Sequence, residues 1–315
     1  MVTAYLWGHR NRPLRFSVWP ALERSWREVL DLALRSEATG WDGVWVADHF
    51  MVEEPLEDQE DVLEVWGTLA GLAAATSRIT LGSLVCSVTY RHPAVLASAA
   101  VTCDHISSGR FILGVGAGWQ ENEHRAYGFE LGDRKTRSDR LEESCQAIRG
   151  LLENESWTGQ SRHFEFEEAP RYPKPVQGKL PLLVGGKGER RTLRTAALYA
   201  DWWNAWVDAE ALRHKRRILR EHCEEVGRDP DEVSCSTQAF LCLSEDRDVQ
   251  RDFVGRAGRR PTLMGSVEAV IDQVGKLHEA GAKELIIPDW TYESLSRRDD
   301  ELNQFISEVV LSVRA

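Results

Sequence analysis

The sequence predicts an α/β fold of the (β/α)8 TIM-barrel type, with an insertion after the fourth strand. Eight short apolar segments alternate with longer amphipathic segments along the 315 residues. Such alternation is typical of a parallel sheet, and eight units in a chain of this length favour a closed barrel over an open sheet. A hydrophobic content of 42% allows a large core, and no Gly- or Ser-rich linker divides the chain. We therefore expect a single domain over residues 1–315.

The predicted elements follow one another in a regular order. The first helix stops at Gly40, a residue type that favours the conformation found at helix ends, and Pro93 suits the first turn of the third helix. Strands are predicted at residues 14–18, 43–47, 78–86, 110–115, 180–184, 202–206, 233–243 and 284–288. Helices are predicted at residues 23–39, 61–76, 93–106, 190–200, 210–226, 267–280 and 301–313.

A long connection interrupts this alternation between the fourth and fifth strands. The insertion, about residues 119–179, contains a predicted helix at 137–152, with Ser138 as its candidate N-cap, and a predicted hairpin around 163–168. Connections of this length in a compact domain usually carry function or form a lid, and its place directly after the glycine loop makes this one a candidate cover for the site. A shorter acidic insertion at 51–60 is expected to be a solvated loop, and a role in substrate binding is the less favoured alternative.

Composition argues against several classes of partner and site. The net charge of −11 and the pI near 5.4 argue against nucleic acid or an anionic membrane as a partner. The N-terminus does not resemble a signal peptide and no 18-residue apolar run is present, so we expect a cytoplasmic protein. The six scattered cysteines are expected to be reduced thiols. No metal site is expected, because Glu121, Glu123 and His124 lack a recognised ligand spacing.

The most informative stretch runs from residue 111 to residue 124. A short apolar strand runs into Gly116 and Gly118 and then into a cluster of polar side chains. Glycines allow positive φ and a close approach of the backbone to a bound ring or phosphate. The stretch is not a dinucleotide fingerprint, because Trp119 occupies the place of the last glycine. Taken alone, it fits a ligand site and a tight barrel turn equally well.

Candidate chemistry collects after the predicted strands, where barrel enzymes place their active sites. Asp48 and His49 follow the second strand, and a histidine suits proton transfer near neutral pH, although a structural role is the alternative. The tryptophans that follow other strands would either wall a planar ligand or fill the core. These tryptophans are Trp19, Trp119, Trp203 and Trp290.

A glycine-rich turn after the fifth strand is the best candidate for a phosphate site. It opens a helix, so free backbone N–H groups and cationic side chains come together there, although its spacing is not that of a Walker A loop. The alternative is a flexible turn with solvated charges. The turn contains Gly185, Gly186, Lys187, Gly188, Arg190 and Arg191. A second basic stretch at 247–260 is predicted to be a solvated loop, and a catalytic lid or a role in binding a substrate anion is the less favoured alternative.

The strand ends, taken in order, resemble a known family. Residues 40–50, 88–93, 111–128, 173–175, 185–194 and 199–204 carry the resemblance. They are similar to the bacterial luciferase-like monooxygenase superfamily, and within it to the branch that depends on the deazaflavin coenzyme F420. The resemblance implies a (β/α)8 barrel with the deazaflavin ring across the strand ends and its phosphate at the 185–191 turn.

The resemblance also implies roles for individual residues. It places a non-prolyl cis peptide beneath the ring, near residues 84–86. In related sugar-phosphate dehydrogenases the histidine that corresponds to His49 accepts a proton, and the asparagine that corresponds to Asn122 contacts the cofactor. The residues implied to hold the cofactor are Asp48, Leu84, Val85, Cys86, Gly116, Asn122, Gly185, Gly186, Lys187, Gly188, Arg190 and Arg191.

Two departures from the family pattern bear on the substrate. Trp119 stands where the sugar-phosphate dehydrogenases have a glutamate, and their phosphate-binding lysines and arginine have no clear counterpart, so oxidation of a sugar phosphate is not expected. The sequence predicts hydride transfer between the deazaflavin C5 and a small organic substrate, with His49 handling the proton. The substrate pocket is expected to contain Trp19, Trp119, Trp203 and Asn204.

Two other functions stay open on the same fold. One is an FMN-dependent monooxygenase that uses reduced flavin and O2, and the other is a non-catalytic flavin-binding barrel. Family members are commonly dimers, so a homodimer is expected.

Overall fold

The computed structural model describes residues 14–21, 23–54, 58–170, 172–292 and 294–314. The N-terminal segment, on which the expectation of no signal peptide rests, lies outside the described residues, as do residues 55–57 of the acidic insertion. In these described ranges, no helix combines the length and the apolar character that crossing a bilayer requires.

Eight parallel strands close into a barrel, which confirms the predicted fold class. The strands are β1 (Arg15–Trp19), β2 (Gly43–Val46), β3 (Thr80–Ser83), β4 (Phe111–Gly116), β5 (Leu182–Gly185), β6 (Trp202–Ala205), β7 (Ser234–Gln238) and β8 (Ala282–Pro288). They pair in the order β3, β2, β1, β8, β7, β6, β5, β4, and β4 then pairs with β3 to close the ring. A short strand after β3, Cys86–Ser87, also pairs with β4. Predicted strand 78–86 is therefore two strands.

Helices surround the barrel and connect its strands. They are α1 (Trp26–Thr39), α2 (Val65–Ala75), α3 (Pro93–Ile106), α4 (Glu121–Tyr127), α5 (Arg134–Glu153), α6 (Thr192–Tyr199), α7 (Ala209–Glu225), α8 (Arg247–Ala257), α9 (Val267–Glu279) and α10 (Leu295–Gln304). The chain then continues through a π-helical segment, Phe305–Val310, into Leu311–Arg314. The C-terminal helical region thus begins six residues before the predicted position 301. The short strand Phe240–Cys242, which follows β7, pairs with Thr262–Met264.

The insertion after β4 contains α4, α5 and a β-hairpin. The prediction that Ser138 caps the second of these helices was wrong. Asp133 is the cap, since its carboxylate accepts the N–H of Thr136 at 2.7 Å, whereas the Ser138 hydroxyl donates to the carbonyl of Arg134 within the helix. The hairpin pairs Ser156–Gln160 with Glu165–Pro170 and is longer than predicted.

Residues 247–257 form helix α8, so the prediction of a solvated loop over 247–260 was wrong for most of that stretch. Asp246 begins the helix by accepting the N–H groups of Asp248 and Val249 at 2.8 and 3.4 Å. Phe253 and Ala257 lie four residues apart and are both buried, which gives the helix an apolar face among its many arginines.

Side chains on the strands alternate between the barrel interior and the layer beneath the helices. Trp202 packs inside the barrel with Trp45, Ile112 and Leu183, whereas Trp203 packs in the outer layer. Consecutive side chains of a strand point to opposite faces, and this alternation separates the two indoles. The outer layer holds most of the buried hydrophobic side chains.

Substitution of Gly114 in β4 by alanine is expected to destabilise the protein by about 3 kcal/mol, at the upper end of the cost of overpacking a core. A Cβ at this position would overlap the main-chain carbonyl oxygen of Ser83, which cannot move without disturbing the pairing of β3. Urea unfolding followed by circular dichroism measures the change. Gly275→Ala on α9 is the control, because a Cβ there meets no atom within 4 Å. Equal stability of the two variants would contradict the expectation.

Candidate functional site

A cavity of about 590 Å³ lies at the carboxyl ends of the barrel strands. Its volume is in the range of small-molecule sites, and its location is where barrel enzymes bind their substrates. Around the barrel, the wall is formed by Trp19, Asp48, His49, Leu84, Val85, Ser87, Gly116 to Gln120, Gly185 to Lys187, Asn204 to Trp206, Gln238 and Trp290. Each of the eight strands therefore contributes to the wall a residue that lies at its carboxyl end or within two residues of it.

The floor of the cavity is built around Val85. The peptide bond between Leu84 and Val85 is cis, which confirms the expectation of a non-prolyl cis peptide near residues 84–86. A Cβ at Gly116 would lie 2.5 Å from Cγ2 of Val85, and a Cβ at Gly185 would lie 2.9 Å from Cγ1. The two glycines thus leave the space that the valine side chain occupies between β4 and β5. Cys86 is fully buried outside this cavity, and burial raises the pKa of its thiol.

Asp48 lines the cavity but its carboxylate is committed to contacts within the chain. Arg91 donates to both of its oxygens, at 2.9 and 2.7 Å, and the N–H of Ser87 donates at 3.0 Å. Arg91 also pairs with Glu64 at 2.7 Å. The ion pair joins the end of β2 to the segment before α3, and it neutralises the carboxylate at the cavity wall.

His49 is held by a carboxylate that the sequence did not single out for this role. Glu123, fully buried on α4, accepts from Nδ1 of His49 at 2.8 Å and from the N–H of Phe50 at 2.8 Å. The hydroxyl of Tyr90 donates to the oxygen that His49 contacts. Burial acts to raise the pKa of Glu123, but the hydrogen bonds and the charge interaction with His49 outweigh it and leave the pKa below its usual value. When the imidazole is neutral, an ionised Glu123 holds its single proton on Nδ1, because the carboxylate can only accept there.

This tautomer leaves Nε2 of His49 with a free lone pair. Among the described residues, no hydrogen-bond partner contacts that nitrogen, and the imidazole lines the cavity with part of its surface exposed. The indole of Trp119 packs edge-on against the imidazole, with the ring centroids 5.6 Å apart. The imidazole is therefore oriented to accept a proton from a molecule in the cavity.

The glycine loop after β4 is a tight turn and also forms part of the cavity wall. Gly118 has a φ of +79°, and a Cβ there would lie 2.6 Å from the hydroxyl of Ser87, so the loop is a tight turn. Residues 116–120 also line the cavity. Asn122 does not line it: its amide donates to the carbonyl of Val52 at 3.0 Å and accepts the N–H of Glu123 at 2.9 Å.

The turn after β5 contributes only part of its predicted set to the cavity wall. Gly185, Gly186, Lys187 and Thr192 line the cavity, whereas Gly188, Arg190 and Arg191 do not. Arg191 pairs with Asp139 and Glu142 of α5, at 2.7 and 3.3 Å. Helix α6 begins at Thr192, two residues later than predicted, and no carboxylate of the described residues pairs with Lys187. The turn thus presents one unpaired cation to the cavity.

Four tryptophans line the cavity wall. Trp19, Trp119 and Trp290 were predicted to lie after strands, and all three line the cavity. Trp206 also lines it, although it was not among the residues predicted for the pocket. Trp203 lies elsewhere, since its buried indole donates to the carbonyl of Gly186 at 2.8 Å beneath the helices. The amide of Asn204 donates to Ser236 and Gln238, both at 2.9 Å, at the base of the cavity.

The amino-acid sequence is similar to one protein family and to named members of F420-dependent dehydrogenases. A family model described as luciferase-like monooxygenase matches residues 11–257. An F420-dependent glucose-6-phosphate dehydrogenase of Kineococcus radiotolerans is 34% identical over 223 residues, which are 70% of this chain and 65% of that protein. An F420-dependent hydroxymycolic acid dehydrogenase of Mycobacterium tuberculosis is 28% identical over 269 residues, 82% of this chain and 70% of that protein.

Solved structures share the fold. An F420-dependent secondary alcohol dehydrogenase, in complex with an F420-acetone adduct, superposes with a TM-score of 0.82 at 19% sequence identity, covering 96% of this chain and 100% of that one. At this identity the similarity concerns the barrel architecture. The family match over residues 11–257, by contrast, is a sequence match and includes the strands that build the cavity wall from Asp48 to Asn204.

Proposed function

This chain belongs to the luciferase-like monooxygenase family, and we propose that it is an F420-dependent oxidoreductase acting on a small organic substrate. Relatives that cover 70% and 82% of the chain are named F420-dependent dehydrogenases, which supports the choice of cofactor. The observation that carries the proposed chemistry is the position of His49, with Nδ1 bound to Glu123 and Nε2 free in the cavity. A homodimeric, cytoplasmic enzyme is part of the same proposal.

The cavity wall fits a flat ring that carries a phosphate-bearing chain. Val85 with Gly116 and Gly185 provides a floor free of larger side chains, which suits the deazaflavin ring. Lys187 and the backbone at the start of α6 suit the phosphate, because a helix N-terminus and an unpaired cation both favour an anion. When bound, F420 supplies a two-electron hydride acceptor or donor at its C5 carbon.

We propose that His49 moves the proton that accompanies the hydride. In the direction of alcohol oxidation, Nε2 accepts the hydroxyl proton of the substrate while the carbon gives up a hydride, so that a carbonyl compound remains. Glu123 stabilises the imidazolium that forms, because its carboxylate stays within hydrogen-bonding distance of Nδ1. In the reverse direction, the imidazolium returns this proton to the carbonyl oxygen.

The tryptophan wall favours an apolar substrate over a sugar phosphate. Trp19, Trp206 and Trp290 present indole surfaces to the cavity, and the proposed phosphate site already uses Lys187. Trp119, half-exposed beside His49, further excludes water from the reacting atoms. We therefore propose that the apolar body of the substrate packs on the indoles with its reacting carbon near His49.

Titration of the purified protein with F420 and, separately, with FMN tests the cofactor. We expect F420 to bind at least about tenfold more tightly than FMN, a difference of about 1.4 kcal/mol that fluorescence quenching resolves. Tight FMN binding without F420 binding would overturn the proposal in favour of a flavin enzyme. If F420 binds but no alcohol, ketone or enone in a broad panel is turned over, the non-catalytic alternative gains support instead.

A matched pair of variants locates the phosphate in the same titration. Lys187→Gln is expected to weaken F420 binding about tenfold, since it removes a charge-assisted contact. Arg190→Gln makes the same change of charge three residues away, at an exposed side chain outside the cavity wall, and is expected to leave the affinity unchanged.

A further inference from the structure

One arc of the cavity mouth is aromatic and is not used by the cofactor in the function proposed above. Strands β6, β7, β8 and β1 are neighbours in the barrel, and Trp206, Trp290 and Trp19 lie at or just beyond three of their ends. The centroid of the Trp290 ring lies 4.7 Å from that of Trp19 and 5.8 Å from that of Trp206. Phe240 packs behind Trp206 and Trp290, at 5.4 and 5.7 Å. We name Trp19, Trp206 and Trp290 the indole arc.

A single guanidinium lies over the indole arc. The Arg260 guanidinium is 5.8 Å from the ring centroid of Trp206 and 5.9 Å from that of Trp290, and Arg260 lines the cavity. Its backbone position is fixed, because Pro261 accepts the N–H of Phe240 at 2.9 Å and the following strand pairs with Phe240–Cys242. No carboxylate of the described residues pairs with this guanidinium, so its hydrogen-bonding edge is available to a ligand.

The other arginines of the 247–260 stretch lie outside the cavity wall. Arg251 pairs with Asp248 and Arg256 pairs with Asp252, each at 3.0 Å on the surface of α8. Arg260 is the arginine of this stretch that lines the cavity. The less favoured prediction, a role in binding a substrate anion, therefore concerns Arg260.

The charges around the cavity indicate which anion fits. Asp48 is neutralised by Arg91, Glu123 is bound to His49, and Lys187 lies after β5, on the side of the proposed phosphate site. Glu23 and Glu53 also line the cavity and disfavour a doubly charged ligand. One planar guanidinium matches one carboxylate in charge and in bidentate geometry.

We propose that the substrate carries a carboxylate that binds to Arg260, attached to a planar apolar body that packs on the indole arc. This inference rests on the proposed function, whose substrate class it specifies. His49 follows β2, the neighbour of β1, whereas the Arg260 guanidinium lies over Trp206 and Trp290, the indoles that follow β6 and β8. The carboxylate and the reacting carbon of the substrate accordingly lie at opposite ends of its apolar body.

Binding of a matched pair of probes tests this subsite. The probes are 4-oxo-4-phenylbutanoate and its methyl ester, which differ only in the charge and the methyl group. Their dissociation constants are measured by calorimetry on the full chain, with and without saturating F420. We expect the acid to bind at least about tenfold more tightly than the ester, as a charge-assisted contact predicts. Arg260→Gln is expected to abolish that preference, and Arg260→Lys to retain part of it.

Arg259→Gln is the matched control, since it removes the same charge from the adjacent residue, which does not line the cavity. It is expected to keep the wild-type preference for the acid. The proposal is overturned if the acid and the ester bind equally, if neither binds, or if Arg259→Gln loses the preference to the same extent as Arg260→Gln. Failure of the proposed function has a different signature, because F420 then does not bind although the acid preference persists without it.

Discussion

Substitution of His49 by asparagine is expected to lower kcat by about 10²–10⁴-fold, the contribution typical of a general acid or base. The asparagine amide can still donate to Glu123 in place of Nδ1, so the variant removes Nε2 while it preserves the contact at 2.8 Å. The measurement is F420-linked turnover of the compound that the wild type converts fastest in a panel of alcohols and ketones.

The affinity for F420 distinguishes a proton-transfer role from a structural one. His49 lines the cavity next to Asp48, but its proposed task concerns the substrate hydroxyl and not the cofactor. We therefore expect His49→Asn to bind F420 as the wild type does and to unfold at a similar temperature. An unchanged kcat would remove His49 from the mechanism, and loss of F420 binding together with kcat would assign it to the cofactor site.

The sequence could predict the barrel because the strands are encoded locally. Most of the strands are short runs rich in apolar residues, and residues such as Gly40 and Pro93 mark the helix ends where the structure has them. The strand ends then placed His49, Gly116 and Lys187 at one mouth without any knowledge of side-chain contacts. Fold and approximate site location follow from pattern alone.

The sequence could not predict which way individual side chains point, nor which residues far apart in the chain contact each other. A shift of one residue reverses the face of a strand, so Trp203 lies beneath the helices while Trp206, just past the strand, lines the cavity. Glu123 belonged to a stretch already singled out, but its partner His49 is 74 residues away, and only the closed barrel brings them together. Arg260 was one of several arginines in a basic stretch, and nothing local marks it as the one over the indoles.

Substitution of Glu123 by glutamine is expected to lower kcat by about 10²-fold or more; a comparable tautomer change in the serine-protease triad costs about 10⁴. The glutamate accepts three hydrogen bonds, from His49, Phe50 and Tyr90. A glutamine that keeps its oxygen towards Phe50 turns its amide N–H towards Nδ1 of His49. The imidazole proton then moves to Nε2, and the nitrogen that faces the cavity can no longer accept the substrate proton. Kinetics at several pH values measure the loss.

Tyr90→Phe is the control for this substitution, because it removes one donor and leaves the carboxylate and the His49 contact in place. Tyr90→Phe is expected to keep most of kcat, whereas Glu123→Gln is expected to lose it. Both variants alter the same cluster of His49, Tyr90 and Glu123. Equal losses in both variants would indicate that the cluster only supports packing around His49.

The pH dependence of stability gives an independent measure of the Glu123 charge. Because hydrogen bonds leave the folded pKa of Glu123 below its ordinary 4.5, the ionised form stabilises the fold above that pH. This contribution is lost as the pH falls through the folded pKa, and Glu123→Gln lacks it at every pH. The difference in unfolding free energy between wild type and variant should therefore be constant near neutral pH and shrink in acid. A difference that does not change with pH would mean that Glu123 is not held as a carboxylate, and the tautomer assigned to His49 would fall with it.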